Sequence, residues 1–82
     1  MKDKFERLAA EIKYELDQTN LTIAAYEREL FGWYDTDSAT FFPATVHPEY
    51  KPVTIAMRQR HIFKRNTLGE LLARAHYIRR TQ

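Results

Sequence analysis

The stretch from residue 3 to residue 31 leaves the chain least freedom. Phe5, Leu8, Ala9, Ile12 and Leu16 recur at three- and four-residue steps, and the same phase runs on through Thr19 to Ile23, Tyr26 and Leu30. That spacing gathers the apolar side chains onto one face of an α-helix. Asp17-Gln18-Thr19-Asn20 interrupts it with weak helix formers that are good caps. Two helices, the second capped by Asn20, are therefore the competing arrangement. The unbroken phase favours one long helix, kinked or straight, with Thr19 in its buried stripe. Gly32 stands where a left-handed residue commonly ends a helix. The other face mixes Glu6, Glu11, Glu15, Asp17, Glu27 and Glu29 with Lys4, Arg7, Lys13 and Arg28. Opposite charges four apart, such as Asp3 and Arg7, add a few tenths of a kcal/mol each, and a solvated face accounts for them.

Eighty-two residues predict one domain spanning 1–82. A chain this short buries only about 60% of its unfolded surface, so its stability margin is thin. There are no cysteines, which removes disulfides, thiolate metal sites and cysteine nucleophiles together. Such a domain lives on its core or on a partner, and a homodimer is one way to supply what the core lacks. Apolar residues at 44% and charged residues at 29% suit a folded chain. Two glycines and three prolines are too few for the turns of a sandwich or barrel. No apolar run approaches a membrane span. The opening MKDKFERLAAEIKYE has acids and no apolar block, unlike a secretory leader. The expectation is a soluble cytoplasmic protein without a membrane partner.

Residues 33–51 lose the helical period. Pro43, Pro48 and the neighbouring Pro52 punctuate the segment, and each restricts the residue before it. Trp33, Tyr34, Phe41, Phe42 and Tyr50 give it a large aromatic surface. Its length argues for order, since long structureless loops are uncommon in compact domains. The first reading is a cover packed across the helices. The second is a short ribbon pairing Thr40–Val46 with Val53–Met57. An exposed loop presenting Trp33, Tyr34 or Phe42 would be a binding surface, because rigid aromatics dominate binding hot spots.

From Pro52 onward two helices are expected. Val53, Ile55 and Met57 alternate as in a strand, but Ala56-Met57-Arg58-Gln59-Arg60 is strong helix composition and Pro52 suits a first turn. Ile55, Ala56, Ile62 and Phe63 then lie to one side. Asn66-Thr67 marks a stop and restart, with Thr67-Leu68-Gly69-Glu70 matching a capping box. Leu68, Leu71, Leu72, Ala75 and Ile78 form the closing stripe. The fold class is thus all-α: a small helical bundle with a long N-terminal helix, a long ordered aromatic loop and two short C-terminal helices. The alternative is α+β with a short ribbon around 40–57.

Catalytic patterns are missing. His47, His61 and His76 make no i,i+4 metal pair, and no metal or other cofactor is expected. Asp35-Thr36-Asp37 starts like a calcium loop, but Ala39, Thr40 and Val46 fill positions that need a ligand, a glycine and a glutamate. Ser38, the lone serine, has no glycine elbow, and two isolated glycines make no phosphate cradle. A hydrolase would need Ser38 or Asp35 to meet a histidine in a pocket. The expectation is a non-enzymatic protein.

Charge is divided along the chain. Residues 1–50 hold five Lys/Arg against ten Asp/Glu, a net of −5, and residues 51–82 hold eight against one, a net of +7. Either the two halves attract each other in a bundle or dimer, or the basic half meets a polyanion. Arg58, Arg60, Lys64, Arg65, Arg74, Arg79 and Arg80 are the candidate phosphate contacts. A helix-turn-helix alignment on Gly32 puts Arg28 and Glu27 at apolar positions, and one on Gly69 puts Lys64 and Arg65 there, so charge is the sole pointer to nucleic acid. The functional expectation is a small binding or regulatory protein whose basic C-terminal helices contact nucleic acid. The alternative is a protein-binding regulator, inhibitor or accessory subunit that sets the aromatic loop and the basic helices on an acidic protein surface.

Overall fold

The computed structural model describes residues 3–81, with side chains described for 3–78. Two helices dominate it. α1 runs Lys4–Phe31 and α2 runs Lys51–Thr81, with a two-stranded antiparallel ribbon, β1 (Trp33–Asp35) and β2 (Thr40–Phe42), and a short 3₁₀ turn at Pro48–Tyr50 between them. The protein is mostly helical. The helices pack against each other as a hairpin, and the ribbon sits at its closed end.

α1 is the single long helix that its apolar phase predicts. Asp3 caps it, its carboxylate accepting from the Glu6 backbone N–H at 2.8 Å. Ile12, Thr19, Ile23 and Leu30 are buried on its inner face. Thr19 solves its own polarity problem. Its hydroxyl donates to the Glu15 carbonyl at 2.7 Å, so the group is satisfied inside the helix that carries it.

Gly32 ends α1 in the left-handed region, at φ 77°, with its N–H on the Arg28 carbonyl at 2.9 Å. The chain turns directly into β1. Trp33 pairs with Phe42, Tyr34 with Phe41 and Asp35 with Thr40. The turn is closed by Asp35, which accepts from the Asp37 N–H at 3.0 Å and from the Ser38 hydroxyl at 2.9 Å. Ala39 follows in the left-handed region at φ 54°. The returning strand is then tied to α1. The N–H groups of Thr45 and Val46 both donate to the Glu29 carbonyl at 3.0 Å, one of the carbonyls a helix end leaves without an internal partner.

Two expectations are corrected. The ribbon exists but pairs 33–35 with 40–42, whereas Val53–Met57 lies within α2. The C-terminal region is one helix rather than two short ones. Thr67 does not cap a new helix. Its hydroxyl donates back to the Phe63 carbonyl at 3.1 Å, an arrangement that lets threonine sit inside a continuous helix. The inner face of α2 also differs from the predicted stripes. Thr54 and Ala75 are buried, Met57, Arg58, His61, Ile62, Arg65, Leu68, Gly69 and Leu72 are partly covered, and Ile55, Phe63, Leu71 and Ile78 stay exposed.

The resulting core is thin. Its buried apolar residues, among those described, are Ile12, Ile23, Leu30 and Ala75, and no large side chain is fully enclosed. No helix among the described residues is long and apolar enough to cross a membrane.

The closed end depends on Gly32. A methyl group there would stand 2.5 Å from the Phe42 carbonyl oxygen and 2.9 Å from the Phe41 ring. Gly32→Ala is expected to cost about 2 kcal/mol or more from the left-handed backbone and this clash together. Ala39→Gly removes a left-handed non-glycine residue and is expected to be neutral or slightly stabilising. Urea unfolding at a fixed protein concentration measures both, and equal losses for the two variants would contradict this account.

Candidate functional site

The basic residues of α2 do not form one surface. With 100° between successive residues, Arg58, His61 and Arg65 fall on the side facing α1, and all three are partly covered. Arg60, Lys64 and Arg74 turn outward and are exposed. Arg79 and Arg80 belong to the last turns of α2, and their side chains lie outside the described residues.

The acidic half reaches two of these cations. Arg58 Nη2 meets Glu27 Oε1 at 3.3 Å, with side chains 25% and 44% exposed. The Arg58 guanidinium also lies 5.8 Å from the centre of the Phe31 ring. Lys64 Nζ meets Glu15 Oε2 at 3.5 Å, and both are about half exposed. The second pair is a surface contact worth little. The first is more enclosed, and Arg58 Nε is a buried polar atom without a hydrogen-bond partner among the described residues. Between them on the seam, the Tyr26 and His61 rings lie 5.6 Å apart. Arg60 and Arg74 have no ion pair among the described residues.

The aromatic segment divides into two faces because residues along a strand alternate sides. Trp33 and Phe42, directly opposite each other, stack with centroids 4.6 Å apart and planes 16° from parallel. The Arg28 guanidinium covers the Trp33 ring at 4.3 Å, a cation–π contact from the last turn of α1. Trp33 is half-buried in this sandwich, while Phe42 keeps an exposed edge. Tyr34 and Phe41 form the other cross-strand pair and are 57% and 59% exposed. Of the three predicted loop residues, then, Trp33 and Phe42 are brought together and Tyr34 lies across the ribbon from them. Phe41, which the sequence reading left out of the binding set, is the partner of Tyr34. Phe31 and Tyr50 are further exposed aromatics close to the ribbon in sequence.

Ser38 and Asp35 do meet, but in the ribbon turn, where each closes the backbone bend. His47 Nδ1 accepts from the Glu49 N–H at 3.2 Å at the start of the 3₁₀ turn. Among the described residues no group of three or more histidine or acidic side chains is arranged to hold a metal ion.

No family model, no curated protein and no solved structure matches this chain.

The seam pair and the surface pair separate by mutation. Arg58→Ala is expected to lower the unfolding free energy by about 1 kcal/mol, because it removes both the covered aliphatic stem and the ion pair. Lys64→Ala should change it by less than about 0.5 kcal/mol. Arg58→Met keeps the stem and eliminates the partnerless Nε, so it should recover most of the loss. Denaturant midpoints at one protein concentration give the three values, and a Lys64→Ala loss as large as that of Arg58→Ala would contradict the assignment.

Proposed function

We propose that this chain is a non-enzymatic protein-binding regulator or accessory subunit whose docking element is the aromatic ribbon at the closed end of the hairpin. The observation that supports this is the outer ribbon face, where Tyr34 and Phe41 stand side by side as a cross-strand pair and remain more than half exposed. Large aromatics with few rotatable bonds lose little entropy on binding, and they are typical anchors of protein interfaces. The ribbon is held in place beforehand by the Arg28–Trp33–Phe42 stack and by the two N–H groups on Glu29. A partner would therefore not bear the cost of ordering it. Because the ribbon has two strands, each strand also has an outer edge, which suits the addition of an extended segment from a partner.

A second reading rests on the outward row of α2. Arg60, Lys64 and Arg74 share one side of the helix, spread over about 21 Å at 1.5 Å per residue. Three phosphate contacts would give log K a slope of about −2.7 against log salt. That is weaker than the six to ten contacts of dedicated DNA-binding proteins. Glu15 already neutralises part of the row. The ribbon is accordingly the favoured site and nucleic acid the minor one.

Photocrosslinking in cells tests the choice. A benzoylphenylalanine at position 41 should give a discrete heterologous protein adduct, and one at the exposed position 18 on α1 should not. The same adducts at both positions, or none at 41, would overturn the reading. In parallel, binding of mixed-sequence DNA or RNA that disappears in the double variant R60A/R74A and shows the expected salt slope would favour the second reading.

A further inference from the structure

The ribbon carries an aromatic pair on each face, and the inner pair shows what such a pair accepts. Trp33 and Phe42 stack there at 4.6 Å, and the Arg28 guanidinium closes over the Trp33 ring at 4.3 Å. A guanidinium is drawn to the negative face of an aromatic ring. On the outer face Tyr34 and Phe41 repeat the cross-strand pairing, which sets their Cβ atoms about 5 Å apart. Both are exposed, and no cation among the described residues lies over either ring. The inner pair has its guanidinium, and the outer pair has none.

The charge around the ribbon has one sign. Residues 29–50 hold four Asp/Glu and no Lys/Arg, a net of −4, whereas the other sixty residues hold thirteen Lys/Arg and seven Asp/Glu, a net of +6. The four acids are Glu29, Asp35, Asp37 and Glu49. Asp35 uses both carboxylate oxygens to close the ribbon turn. Asp37 is exposed in that turn and forms no ion pair among the described residues. Of the cations that flank the segment, Arg28 lies over Trp33 and Arg58 pairs with Glu27, while Lys51 opens α2 beyond the 3₁₀ turn. The closed end is therefore an acidic, aromatic element on an otherwise basic chain.

We infer that the outer ribbon face takes an arginine-bearing extended segment of a partner protein, one guanidinium lying over Tyr34 and Phe41 as Arg28 lies over Trp33. The inference rests on the ribbon as the docking element and adds what the ribbon selects. Charge complementarity chooses the occupant. An acidic segment or a phosphate backbone would meet like charge along residues 29–50, which costs affinity. Arginine suits the rings better than lysine, because its planar, weakly hydrated guanidinium stacks on them. An extended segment sets alternate side chains on one face, so a second arginine two residues on would follow the ribbon while its charge is drawn by Asp37 and the neighbouring acids. A second copy of this chain does not supply such a segment. Its non-helical residues 32–47 contain no Lys or Arg, and its basic excess lies in α2.

NMR titration of the isotope-labelled full chain tests this with two capped peptides. One alternates threonine with arginine, and the other replaces each arginine by citrulline, which keeps the shape and loses the charge. The arginine peptide should shift the backbone amide signals of residues 33–35 and 40–42 and bind at least about threefold tighter than the citrulline peptide. The double variant Tyr34→Leu with Phe41→Leu keeps apolar bulk without rings and should remove most of that difference. Asp37→Asn should narrow it by about twofold at low salt and by less at high salt. The comparison of the two peptides on the wild type decides the matter even where a variant fails to fold. Equal affinity of both peptides for the ribbon overturns the cation preference and leaves the ribbon standing as a docking element. An arginine peptide that shifts only signals of α1, or none, also overturns it, and the crosslink at position 41 then judges the ribbon reading separately.

Discussion

Everything in this molecule hangs on the seam between α1 and α2, and the two helices contribute to it unequally. α1 supplies Ile12, Ile23 and Leu30, with Thr19 made harmless by its bond to the Glu15 carbonyl. α2 answers with Leu68, Leu72 and Ala75 toward its C-terminal end, but nearer the closed end Met57 and Ile62 share the face with Thr54, Arg58, His61 and Arg65. Thr54 follows the device of Thr19, its hydroxyl donating to the Tyr50 carbonyl at 2.9 Å. Arg58 and His61 have no such local remedy. They remain partly solvated and borrow partners from α1, Glu27 for Arg58 and Tyr26 for His61. A seam built this way fixes the register of the hairpin while burying little apolar area. At about 25 cal/mol per Å², little area means little stabilisation.

That deficit explains the rest of the surface. Phe31, Ile55, Phe63 and Leu71 are exposed because two antiparallel helices cannot enclose more than one stripe each. The closed end compensates locally. Arg28, Trp33 and Phe42 form a compact stack, and the returning chain satisfies the Glu29 carbonyl. The ribbon is consequently a well-held element on an otherwise open scaffold, which is why its outer pair, Tyr34 and Phe41, suits a partner better than a mobile loop would.

How much of this was legible in the sequence follows from where a single force dominated. α1 was readable from Phe5 to Leu30 because one apolar stripe ran at helical spacing and Gly32 closed it. α2 was harder. Its apolar residues are spread around the helix, so the stripes at Ile55–Phe63 and Leu68–Ile78 looked like two separate elements. Thr67 three residues before Glu70 resembled a cap, and only the continuous backbone distinguishes a cap from a hydroxyl bonded back to Phe63. The ribbon pairing escaped because three-residue strands have no measurable alternation, and Phe41 was overlooked as a partner for Tyr34 for the same reason. The basic residues share one helix but not one face. Charge counts cannot tell that Arg58 and Arg65 turn toward the seam while Arg60 and Arg74 turn away.

The central claim is that a single hairpin seam buries little apolar area, so that association adds to its stability. Thermal unfolding followed by circular dichroism across about a hundredfold range of protein concentration tests it most directly, since folding coupled to association makes Tm depend on concentration. The account predicts a Tm that climbs steadily with concentration. A cooperative transition at one unchanging Tm throughout that range would contradict it.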